Sequence, residues 1–142
     1  MIILDTNVIS EPLRHAPESR VVEWIDAQLV ETLYLSAITV AELRFGVASL
    51  PAGKRRDRLQ ESLEKRALPL FAGRILPFDM SASHSYGELM AKARSSDLAI
   101  GTADGYIAAT AAANGMMVAT RDASPFEAVG VDVINPWEEP SL

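Results

Sequence analysis

The stretch ADGYIAATAAANGMMVATRD, residues 103–122, decides the fold class. From Thr102 onward its first half reads as a helix with a small-residue face, able to pack close to a neighbour. Gly115 suits the left-handed position that ends such a helix. The Asn114-Gly115 pair would also suit a hairpin turn, but the helical run before it favours the cap. Met116 to Ala119 then reads as a strand, and Thr120-Arg121-Asp122 follows at once. A helix feeding a strand that delivers an acid is the repeating unit to look for elsewhere in the chain.

Working outward, Ile2-Ile3-Leu4 is a short apolar run ending at Asp5, and reads as a buried strand. Val21 to Leu29 reads as a helix with Val22, Ile25 and Leu29 on one face. Thr32 to Leu35 reads as a second strand, and Ser36 as the N-cap of a helix through Leu50. Pro51-Ala52-Gly53 breaks the chain. Lys54 to Phe71 reads as one amphipathic helix with Leu59, Leu63 and Ala67 in register, which Pro69 can stop early. Arg74 to Pro77 reads as a strand, Ser81 to Arg94 as a helix capped by Asp79 or Ser81, and Val131 to Ile134 as a last strand before Asn135-Pro136. Strands alternating with helices predict an α/β fold, with a mainly parallel, roughly five-stranded sheet covered on both faces. The 142 residues fit a single domain over 1–142.

Hydrophobic residues make up 49% of the chain, enough for a packed core and against disorder. The absence of cysteine excludes disulfides, thiolate metal sites and a cysteine nucleophile, and fits a reducing compartment. With no basic leader and no membrane-length apolar run, the expected location is the cytoplasm. A net charge of −6 argues at first against a nucleic-acid partner. Setting aside four carboxylates for one metal site leaves −2 on the rest. Basic residues gather at Lys54, Arg55, Arg56, Arg58, Lys65 and Arg66, where they could touch phosphates. Interleaved Asp57, Glu61 and Glu64 favour the plainer reading of a solvated helix face.

The position of the acids is the functional signal. Asp5 directly follows the first strand and Asp122 closely follows a later one. In open α/β sheets the ligand crevice lies beyond the carboxyl ends of the strands. Asp104 falls in the first turn of its helix if Thr102 is the N-cap, where backbone N–H groups favour an anion. Glu42 lies one turn into the helix after the second strand. Each acid alone has a plain explanation as a cap, turn, loop or solvated residue. Together they form an all-oxygen set that selects a hard cation, Mg²⁺ or Mn²⁺. Such an ion suits phosphodiester hydrolysis. Trp24 and Trp137 read as core or interface packing, and His15 and His84 as surface residues.

IILDTNVISE (2–11), ITVAELRFG (38–46) and ADGYIAATAAANGMMVATRD (103–122) resemble, in order, the motifs of PIN domains. Within that family the chain looks closest to the VapC and FitB toxins of bacterial toxin–antitoxin pairs. The resemblance implies a three-layer α/β/α PIN-like fold and a Mg²⁺- or Mn²⁺-dependent endoribonuclease acting on tRNA or rRNA loops. It implies catalytic Asp5, Glu42, Asp104 and Asp122. Asp5 and Asp104 would ligate the metal, with Glu42 and Asp122 joining directly or through water. Thr120 would hold the acids by hydrogen bonds, and Asn7 would orient Asp5. The implied partners are an inhibitory antitoxin, a second copy of the toxin, and promoter DNA bound with the antitoxin. The fourth motif departs from many relatives: Asp122 stands where Asn is usual, and Pro125 replaces the acid before Phe126.

Rival readings remain open on the residues. A PIN fold could serve mainly as a weakly catalytic partner in an antitoxin–promoter complex, although all four acidic positions are filled. A dehalogenase-like phosphatase needs Asp-x-Asp after the first strand, and Asp5-Thr6-Asn7 lacks it. A receiver domain needs a Lys after a late strand, which Thr120-Arg121-Asp122 does not offer. A DNA-directed nuclease would share the metal chemistry, and only the resemblance favours RNA.

Overall fold

A computed structural model of the protein describes residues 1–138; residues 139–142, part of the expected single domain, lie outside the described residues. In chain order the elements are β1 (Ile2–Leu4), α1 (Thr6–Ser10), α2 (Ser19–Asp26), β2 (Leu33–Ser36), α3 (Ala37–Ala48) and α4 (Lys54–Glu61). There follow β3 (Ile75–Leu76), α5 (Met80–Ser95), α6 (Thr102–Ala113), β4 (Met117–Ala119), α7 (Ser124–Ala128) and β5 (Val133–Ile134). The five strands are parallel and ordered β3-β2-β1-β4-β5.

All three residues of β1 are buried, as expected of a central parallel strand covered on both faces. The pleat sends Ile2 and Leu4 into one core and Ile3 into the other. The first core adds Val8 and Ile9 of α1, Val21 of α2 and Val40 and Leu43 of α3. The second adds Ile107, Ala108 and Ala111 of α6 with Phe126 of α7. The sheet therefore lies between two helical layers. Ile2 pairs with Leu33 on one side and Met117 on the other. The chain first builds outward through β2 and β3, then returns to place β4 against the free side of β1. The reversal of strand order between β1 and β4 is the switch point at which such sheets open a ligand crevice.

Several boundaries differ from the sequence reading. The helix expected over 54–71 keeps α-geometry only to Glu61, then widens into a π stretch over Ser62–Ala67 and tightens into a 3₁₀ turn over Leu68–Phe71. Pro69 has no N–H, and its ring crowds the carbonyl four residues back, so the regular ladder cannot pass through it. The N–H of Leu68 instead reaches back five residues to the Leu63 carbonyl. The second helix stops at Asp26 rather than Leu29, whose side chain is exposed, and Thr32 closes a 3₁₀ turn before β2 begins. The last strand is only Val133–Ile134. Gly115 has φ +63°, and the N–H of Met116 bonds the Ala111 carbonyl at 2.9 Å. With Gly115 N–H on Ala112, this is the Schellman closure that frees the chain to enter β4.

Candidate active site

Asp5 is held by three hydrogen bonds. Its backbone N–H donates to the Ala119 carbonyl at 2.9 Å, extending the β1–β4 pairing by one residue. Its carboxylate then caps α1, with Oδ1 accepting from Thr6 N–H at 2.8 Å. Oδ2 accepts from Thr120 Oγ1 at 2.8 Å. The residue is buried, and burial pushes its pKa up to about 6. The bonds from Thr120 and Thr6 pull against that rise, while the charges of Asp104 and Glu42 add to it.

Those couplings locate the other acids. Asp104 is half-buried in the first turn of α6. Its pKa is raised by burial first, then by Asp122, then by Glu42. The residue that caps α6 is Gly101, with no side-chain hydrogen bond, so Thr102 is not the cap. Thr102 lies one position too far along the chain, already inside the helix, and Asp104 keeps its first-turn place. Glu42 reaches the group from the exposed side of α3, where its Oε1 accepts from Thr6 Oγ1 at 2.7 Å. Asp122 enters from the loop between β4 and α7, and its N–H donates to Thr120 Oγ1 at 3.1 Å. The charge of Asp104 is thus felt with those of Asp5, Glu42 and Asp122, and that of Asp5 with Glu42, which draws acids from four parts of the chain toward the β1/β4 switch point.

Two residues act in ways the sequence did not reveal. Thr6 ties the Asp5 and Glu42 arms together, its N–H on one carboxylate and its hydroxyl on the other. Its adjacency to Asp5 was the available signal, but the contact with α3 is tertiary. Asn7 does not bond Asp5: its Oδ1 accepts from Arg121 N–H at 3.3 Å, bracing the loop that carries Asp122. Asn7 lies in the first turn of α1, and its side-chain bond runs across to the loop after β4. Pro125 falls in the first turn of α7, where its missing N–H costs nothing.

Residues 2–131 match the PIN domain. The chain belongs to the PIN-domain family. This PIN domain is 67% identical over 138 residues to the VapC ribonuclease Y4jK of Sinorhizobium fredii, covering 97% of the chain and 99% of the relative. It is 55% identical to the toxin FitB of Neisseria gonorrhoeae, covering 98% and 100% of the two chains. The solved structure of FitAB bound to an IR36 DNA fragment superposes with a TM-score of 0.96 at 54% identity, covering 99% of each chain. The three-layer arrangement with its parallel five-stranded sheet is the fold of these relatives.

The four acids of this PIN domain offer only carboxylate oxygens, and two of them, Asp5 and Asp104, are disfavoured as bare anions by burial and by their neighbours. That chemistry fits a hard divalent cation, which relieves such repulsion. Among the described residues no three acidic or imidazole groups already stand in a metal-holding arrangement. No helix among the described residues is long and apolar enough to cross a membrane.

Proposed function

We propose that this PIN domain is the ribonuclease toxin of a toxin–antitoxin pair, hydrolysing phosphodiester bonds in RNA with Mg²⁺ or Mn²⁺. The observation that carries the reading is the charge coupling of Asp104 with Asp5, Glu42 and Asp122 beyond the carboxyl ends of β1 and β4, where Thr120 bonds both Asp5 and the Asp122 N–H. Asp5 and Asp104 would hold the cation, with Glu42 and Asp122 joining directly or through water. When bound, the ion supplies Lewis acidity at the phosphate and a water of lowered pKa. The chain's own residues position the carboxylates: Thr120 fixes Asp5, Thr6 fixes Glu42, and the first turn of α6 holds Asp104 near its N–H groups. Similarity to proteins named VapC ribonuclease and toxin FitB favours RNA over DNA as substrate. An inhibitory antitoxin is the expected partner, with tRNA or rRNA loops as the expected targets and the cytoplasm as the expected location. The FitAB–DNA structure supports a second role, in which the pair sits on DNA, with promoter DNA the expected site. A toxin homodimer is part of the same proposal.

Calorimetric titration with Mn²⁺ and an RNA-cleavage assay test this directly on wild type and Asp104→Asn. Wild type is expected to bind metal and cut RNA, and the folded variant to lose most of both. A wild-type protein, free of any partner, that binds no metal and cuts nothing would overturn the nuclease reading in favour of a binding role.

A further inference from the structure

One cation stands beside the acid cluster without entering it. Arg121 immediately precedes Asp122, yet its guanidinium lies over the Trp137 ring, 5.2 Å from the centroid. Among the described residues it makes no ion pair. Its main chain is held on both sides: the N–H donates to Asn7 Oδ1 at 3.3 Å, and the carbonyl accepts from Asn135 Nδ2 at 3.2 Å. Asn135 Oδ1 also accepts the Trp137 N–H at 2.9 Å, so one side chain fixes both the arginine's backbone and the ring beneath its head. Trp137 in turn packs on the first core, and its carbonyl accepts from Arg20 at 3.4 Å. β5 ends at Ile134, which puts Asn135 and Trp137 on the same sheet edge as Asp5 and Asp122.

This frame has a chemical consequence. An exposed arginine next to carboxylates would ordinarily be free to swing onto one of them. Here the clamped backbone aims it toward β5 and the indole face holds it there. Stacking on a ring leaves the guanidinium N–H groups free to donate at its edge, the geometry that suits a bidentate phosphate. A polyanion approaching four acids also needs positive charge close by that those acids have not already consumed.

We infer that Arg121, braced on Trp137, binds a backbone phosphate of the RNA strand flanking the scissile bond on the β5 side. The inference rests on the ribonuclease reading. Arg121 would be a substrate-positioning residue, and Trp137 its support.

The test measures kcat/KM on a single-stranded oligoribonucleotide in Mn²⁺ across KCl concentrations for wild type, Arg121→Gln, Arg121→Lys and Trp137→Leu. Anisotropy binding of the same RNA to the Asp104→Asn protein, with and without Arg121→Gln, gives a second readout. Arg121→Gln is expected to lose about ten- to a hundredfold in kcat/KM. Its log–log salt dependence should flatten by about 0.7, the loss of one single-strand phosphate contact. Arg121→Lys should keep the slope and recover part of the rate, since the charge remains while the planar fork is lost. Trp137→Leu should keep the slope and raise KM. An Arg121→Gln protein with the wild-type rate, or with a lower rate on an unchanged slope, would overturn the inference while leaving the nuclease intact. Wild type that cuts no RNA would instead sink the ribonuclease reading.

Discussion

Thr120 serves two acids through one oxygen. Its buried hydroxyl donates to Asp5 Oδ2 at 2.8 Å and accepts from Asp122 N–H at 3.1 Å. Thr120→Val keeps the shape and removes both bonds. The bond to Asp5 lowers that group's pKa, so its loss should drive the value further above about 6. The acid limb of the pH–rate profile should therefore move to higher pH, with the deficit larger at pH 6 than at pH 8. Loss of the buried bond should also cost about 1–3 kcal/mol of stability. Thr120→Ser should restore most of both. A pH–rate profile of the Val variant that is lower but unshifted would contradict this account. At this scale the four acids stood out as candidates by their order along the chain, and Thr120 through the resemblance to PIN domains. Thr6 and the true partner of Asn7 could not, because their bonds cross between elements that meet only after folding.

Among the elements, α5 and α6 depend most on a single small residue. A Cβ at Gly105 would lie 2.9 Å from Met90 Sδ and 3.2 Å from a ring carbon of Tyr86. Met90 could yield, but Tyr86 is held among rings, 4.8 Å from Tyr106 and 6.0 Å from Phe78 between centroids. Alanine would gain about 1 kcal/mol of helix propensity against that crowding. Gly105→Val has no such compensation and should cost about 1–3 kcal/mol. Because Asp104 is the preceding residue, the shift of α6 should also weaken metal binding. Thermal melts together with Mn²⁺ titration check both; a Val variant with native metal affinity would show that α6 yields elsewhere. The small-residue face of α6 was legible from its alanines, and its end from Gly115. The break at Glu61 was only partly so: Pro69 announced an early stop, but not that the disturbance would spread upstream as far as Ser62 as π geometry.

At the scale of the whole molecule, the strand order brings residues 5 and 122 to one place, and the fold bears the cost of burying the Asp5 charge there beside other acids. The alternation of strands and helices foretold a parallel sheet, but not which strands would be neighbours. The β1–β4 pairing that unites Asp5 with Thr120 is a long-range choice made by packing. Its cost can be measured. Asp5 has an ordinary pKa of 3.8 and is raised to about 6 in the folded protein. Below about pH 4 the group is protonated in both folded and unfolded chains and costs nothing. Between about 4 and 6 the folded form holds a proton that the unfolded form has lost, so folding stability falls as pH rises. Above about 6 the full penalty remains, on the order of 3 kcal/mol for this group. Asp104, also raised, acts in the same direction. In EDTA the melting temperature should therefore fall between pH 5 and pH 7.5. Mn²⁺ should flatten or reverse that fall, since an ion at a hundred times its Kd adds about 2.7 kcal/mol to the state that binds it. Asp5→Asn should show a flatter EDTA profile than wild type and a smaller gain from Mn²⁺. Parallel EDTA profiles for wild type and Asp5→Asn would mean that the acids at the switch point do not strain the metal-free fold, and would remove the electrostatic reason for the cation to sit there.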